Sequence, residues 1–100
     1  MEDETNILWI SIASLWEIAI KVNIGKLELA EPLREILNKL PEVGISVLAI
    51  DPQHILEVET LELIHRDPFD RIIIAQGIAE DFEIISSDDV FKAYPVRLHW

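Results

Sequence analysis

The sequence predicts an α/β fold, with a mainly parallel sheet flanked by helices. Short apolar runs alternate with helical patterns, joined by short links. Those runs are continuously apolar rather than alternating, as in strands buried on both faces. Half of the 100 residues are hydrophobic and mean hydropathy is positive at +0.24. That is enough apolar side chain for a sheet covered on two sides, or for a chain that keeps apolar surface for a partner.

Each element has a local reason. Ile7 to Ile10 reads as a buried strand. Ser11 or Ser14 can cap the helix that follows to about Asn23, and Gly25 ends it. Pro32 opens a second helix over Leu33 to Leu40, with Leu33, Ile36, Leu37 and Leu40 at helical spacing. Pro41 and Gly44 stop it, and Ile45 to Ile50 is a second strand. Asp51-Pro52 is a cap followed by a first-turn proline, opening a helix to about Thr60. Pro68 sets the start of a helix that runs from Asp67 to about Glu80. Glu83 to Ser86 is a third strand, Asp88 to Ala93 a short helix, and Val96 to Leu98 a last edge strand.

Length predicts one domain over residues 1–100. No apolar run approaches the roughly 20 residues of a membrane span. The acidic first residues do not resemble a signal peptide, and the absence of cysteine excludes disulfide and thiol chemistry. A cytoplasmic protein is expected. The net charge of −11 argues against a broad basic face for a nucleic-acid backbone. Any RNA contact is expected to be local, through Arg66, Arg71 or Lys21. The alternative for these cations is ordinary ion pairing with the many carboxylates.

Acids from three distant segments converge in this topology. Ligands of open α/β sheets bind where strands end and helices begin. Glu17 lies in the helix after the first strand, Asp88 just past a strand end, and Asp67 and Asp70 in the first turn of a helix. Such clusters repel unless a cation sits among them. Mg²⁺ or Mn²⁺ suits all-oxygen ligands and can activate water at a phosphodiester. Each acid also has a simpler reading. Glu17 can complete a capping box with Ser14 or pair with Lys21 four residues on. Asp67 can cap its helix, and Asp89 is a solvated first-turn neighbour of Asp88. Trp9, Trp16 and Phe69 are expected in the core or at an interface.

Three ordered stretches resemble one family. Ser11-Ile12-Ala13-Ser14-Leu15-Trp16-Glu17-Ile18-Ala19-Ile20-Lys21 is similar to its "S-x-x-S-L-W-E-I-A-I-K" helix. His65-Arg66-Asp67-Pro68-Phe69-Asp70-Arg71 through Ala75-Gln76 resembles "H-x-D-P-F-D-R-x-x-x-A-Q". Ile84 to Phe91 resembles a late strand followed by "T-x-D-x-x-F", with Ser86 in place of threonine. The family is the PIN-domain proteins of the VapC toxin type. The resemblance implies a metal-dependent ribonuclease, the toxin half of a toxin–antitoxin pair, with a cognate antitoxin and a homodimer. It implies Glu17, Asp70 and Asp88 as catalytic metal ligands, Asp67 as a weaker one, and Arg66 and Arg71 as candidate RNA contacts.

The family's sheet begins with a strand ending in an aspartate. No apolar strand precedes Ile7, and Asp3 within Glu2-Asp3-Glu4-Thr5-Asn6 does not match that aspartate. Three readings stay open: a ribonuclease, a non-catalytic remnant that binds an antitoxin or pairs with an intact toxin, and a start upstream of Met1. A fold truncated at its N-terminus is expected to bind metal weakly, and to show low or absent ribonuclease activity until an upstream strand ending in aspartate is restored. It is also expected to close its sheet by re-pairing strands, by exchange in a dimer, or against another chain.

Overall fold

Ser11 ends the first strand and caps the first helix, so strand and helix follow without a loop. The computed structural model describes residues 8–62, 67–81, 84–85 and 96–98. The elements are β1 (Leu8–Ser11), α1 (Ile12–Asn23), β2 (Leu27–Leu29), α2 (Leu33–Lys39), β3 (Ile45–Leu48), α3 (Pro52–Thr60), α4 (Pro68–Glu80), β4 (Ile84–Ile85) and β5 (Val96–Leu98). A single 3₁₀ turn, Pro41–Val43, links α2 to β3.

β1 is the middle strand of a parallel sheet in the order β3-β1-β4. Leu8 faces Ile45 and Ser11 faces Leu48, while Trp9 faces Ile84 on the other side. The fold is thus the expected α/β arrangement, a parallel sheet with helices packed on it. A second, two-stranded ribbon pairs β2 antiparallel with β5, Leu27 opposite Leu98. β2 was not anticipated. Three residues, Leu-Glu-Leu, carry too little pattern to read as a strand without their partner. β3 ends at Leu48 rather than Ile50, because its partner β1 ends opposite at Ser11, where α1 begins; the Ala49 carbonyl instead accepts from the Gln76 side chain at 3.2 Å.

The core gathers Ile10, Leu15, Ile18, Leu27, Ile36, Leu40 and Ile45. It joins β1, one face of α1, β2, α2 and β3. Ser11, not Ser14, is the cap of α1: its hydroxyl accepts from the Ala13 N–H at 3.0 Å. Ser14 lies within the helix, three residues past the cap, which removes the capping-box reading of Glu17. α1 closes as expected around Gly25, at φ +79°, with Gly25 donating to Val22 and Lys26 to Lys21. Trp9 is half-buried, whereas Trp16 is 60% exposed and so is not a core residue. The expected helix Asp88 to Ala93, with Asp88 and Asp89, lies outside the described residues, as do His65 and Arg66. Among the described residues, no helix is long and apolar enough to cross a membrane.

Candidate metal and nucleic-acid site

α1 starts at the carboxyl end of β1. α4 leads back into the parallel strand β4, so its N-terminus lies toward that same edge. The two helices meet through Trp16 and Phe69, whose rings touch edge to face with centroids 5.1 Å apart and planes at 87°. Each aromatic is followed in sequence by an acid, Glu17 on α1 and Asp70 on α4.

Glu17 is the most perturbed of these acids. Burial of its carboxyl raises its pKa above the usual glutamate range. Lys21, 3.7 Å away one turn along the helix, pulls it down, while the negative charges of Asp67 and then Asp70 push it further up. Glu17 therefore lies in the field of Asp67 and Asp70, while among the described residues the acids that close to within metal-ligand distance of one another are Asp51 and Glu80, with His54. The donor atoms of Glu17, Asp67 and Asp70 are all carboxylate oxygens, as a hard divalent ion requires.

The three are not equivalent. Asp67 caps α4, its Oδ1 accepting from the Phe69 N–H at 2.8 Å and the Asp70 N–H at 3.3 Å. Asp70 is exposed in the first turn, and the cap of α4 is supplied by Asp67 rather than by it. Arg71 donates to backbone carbonyls at the end of α3 and just beyond: Glu62 at 3.2 Å, Leu61 at 3.4 Å and Val58 at 3.5 Å. It ties α4 to the carbonyl end of α3, a use neither ion pairing nor RNA contact anticipated.

A second polar cluster escaped the sequence reading. Asp51, His54 and Glu80 place a donor atom each within 4.8 Å of one another. His54 is wholly buried. Its Nδ1 accepts the Asp51 N–H at 3.0 Å, which puts the proton on Nε2, and Nε2 donates to Glu80 Oε2 at 2.8 Å. Asp51 Oδ1 in turn accepts from the Gln53 and His54 N–H groups. Both ring nitrogens are engaged, so the imidazole serves as a tie between α3 and α4. A metal ion here would have to break the capping hydrogen bond. The signal was available in the sequence as a cap with a polar residue three positions on, but histidine in place of glutamate hid it.

An α/β protein with an open parallel sheet binds its ligands at the edge where strands end and helices begin. The PIN-domain family model matches residues 1–96, and the chain belongs to the PIN-domain family. That membership points to a nuclease-type function. No curated protein and no solved structure matches the chain.

Proposed function

We propose that this chain is a PIN-type endoribonuclease of the VapC toxin kind, dependent on Mg²⁺ or Mn²⁺. The observation that carries the reading is Glu17. Its carboxyl is partly buried and already pairs with Lys21 at 3.7 Å, yet its pKa stays raised, with Asp67 and Asp70 adding to the burial, so Lys21 alone does not offset burial and the local negative charge. Glu17 and Asp70 would hold the ion, with Asp88 supplied from the third motif. Asp67 would stay with its helix cap. A bound divalent ion lowers the pKa of its water and steadies charge on a phosphodiester. The partners of this reading are RNA, a cognate antitoxin and a second copy of the chain, in the cytoplasm.

Titration calorimetry with Mn²⁺ tests it. Asp70→Asn and Glu17→Gln should each weaken binding, and Glu59→Gln on exposed α3 should not. Equal effects of all three would show ordinary surface charge. Mg²⁺-dependent RNA cleavage abolished by Glu17→Gln is the corresponding activity test.

A protein-binding module without turnover is the second reading, and one observation favours it. Ile12, Trp16, Ile20 and Ile24 recur every four residues and are all exposed, between 36% and 60%. They leave an apolar stripe along α1 suited to another chain.

A further inference from the structure

β3 is an edge strand. It pairs with β1 on one side, and among the described residues nothing pairs with its other side. A strand paired on one side only turns a row of N–H and C=O groups outward, a template for another chain. Native edges are blunted by charge or by shortness, and the other strands at the margins of this fold show one or the other. β4 has two residues and follows Glu83 in sequence; β2 carries Glu28 and β5 carries Arg97, set opposite each other. β3 has neither guard. Residues 43–50 hold no charge and no proline, in a chain with 27% charged residues. Val43 and Val47 are 48% and 41% exposed, and Ser46 is exposed as well. Beside this edge lies a cavity of about 520 Å³, walled by Leu37, Leu40, Pro41 and residues 44–47.

We infer that the β3 edge is the interface between two copies of this chain, each β3 meeting the other antiparallel so that the two parallel sheets run on as one. The inference does not rest on the nuclease reading; it says where a second copy sits. Symmetry fits the strand to its own duplicate. A two-fold axis normal to the sheet sets β3 antiparallel to itself and covers both edges with one contact, so neither copy keeps an open edge. Charge selects the occupant. At −11 two copies repel, and they approach at least cost where neither carries charge. A basic partner would be drawn to the carboxylates elsewhere and gains nothing from an uncharged strand. The pleat then limits the register. Side chains alternate between faces along a strand, and residues directly opposite in an antiparallel pair share a face. The axis therefore passes through a residue, Ser46 or Val47 at the middle of the strand, and not between them. With the axis at Ser46, Val47 of each copy falls opposite Ile45 of the other, beside the cavity that Ile45 lines.

The full chain should sediment as a dimer at micromolar concentration. Val47→Lys and Ser46→Lys, on opposite faces of the strand, should each sediment at half that mass with unchanged far-ultraviolet circular dichroism. Ile24→Lys, on the exposed stripe of α1, should stay dimeric. The chain has no cysteine, so single cysteines read the contact directly. Opposed residues across an antiparallel pair stand about 4.5–5.5 Å apart at Cβ, near enough for a disulfide after a small adjustment. Under oxidation Ser46→Cys or Val47→Cys should cross-link, the one that does so marking the axis, and Ile55→Cys on exposed α3 should not. Should a lysine variant lose its circular dichroism, the cysteine pair decides. A parent that sediments as a monomer overturns the inference, even if it captures an extended peptide at this edge. So does a dimer that survives both lysines while neither cysteine cross-links. A dimer broken by Ile24→Lys alone also overturns it, and places the interface on α1.

Discussion

His54 Nε2 stands 2.8 Å from Glu80 Oε2, and this contact joins the start of α3 to the end of α4. Glu80 is the last residue of its helix, where the carbonyl end disfavours an anion. The imidazole N–H offsets that. His54→Ala should therefore cost about 2–4 kcal/mol, losing a buried ring, the acceptor for the Asp51 N–H and the donor to Glu80. Glu80→Gln keeps an acceptor oxygen and should cost less than about 1 kcal/mol. Urea unfolding followed by circular dichroism measures both, and a loss below about 1 kcal/mol for His54→Ala would show that the contact with Glu80 does not tie the helices.

Asp67 and Asp70 should separate cleanly. Asp67→Ala removes the acceptor of two first-turn N–H groups and should lower stability by about 1 kcal/mol. Asp70→Asn should leave stability within about 0.5 kcal/mol while weakening Mn²⁺ binding. Thermal unfolding and calorimetry on the same two variants would expose the opposite assignment.

Glu17 makes stability fall with rising pH. Its folded pKa is raised by burial first and by Asp67 and Asp70 after that, so the folded chain holds this proton more tightly than the unfolded one. The favourable contribution is complete below the ordinary glutamate value of about 4.3 and is lost as pH climbs through the raised folded value. Without metal, Glu17→Gln should be more stable than the parent at neutral pH, with the gap closing in acid. Mn²⁺ should reverse the order by stabilising the parent alone. Melting temperatures across that pH range, with and without Mn²⁺, decide it.

Arg71 should behave as a clamp on α3. Arg71→Ala should cost about 1–2 kcal/mol by releasing three carbonyls near the helix end. Arg71→Lys should recover only part, since a point-like ammonium cannot span the same three oxygens. Faster amide exchange in the last turn of α3 is the expected signature. An unchanged exchange pattern would mean the carbonyls are served without it.

The helices were legible because their ends are written in local chemistry. Asp51-Pro52, Asp67-Pro68 and Gly25 each mark a boundary the structure keeps to within a residue or two. Pairing was not legible. Nothing local in Leu27–Leu29 announces a partner some seventy residues away, and nothing in β1 says that β4 lies beside it. For the site, the spacing of Asp67 and Asp70 was readable from the helix repeat. That Glu17 feels the charge of both depends on how α1 lies against α4, where Trp16 meets Phe69, which sequence spacing cannot give. Asp88 and Arg66 fall outside the described residues.

The shared residue Ser11 has a consequence for how the site assembles. With no loop between β1 and α1, the helix has no slack against the sheet. A slip of β1 by one residue against β3 would shift the chain by about 3.3 Å and turn its side chains to the other face. α1 would be dragged with it, carrying Trp16 off Phe69 and Glu17 away from Asp70. Correct strand register and assembly of the carboxylate group are therefore a single event in folding. A chain with its strands mispaired keeps every acid in its sequence and has no site.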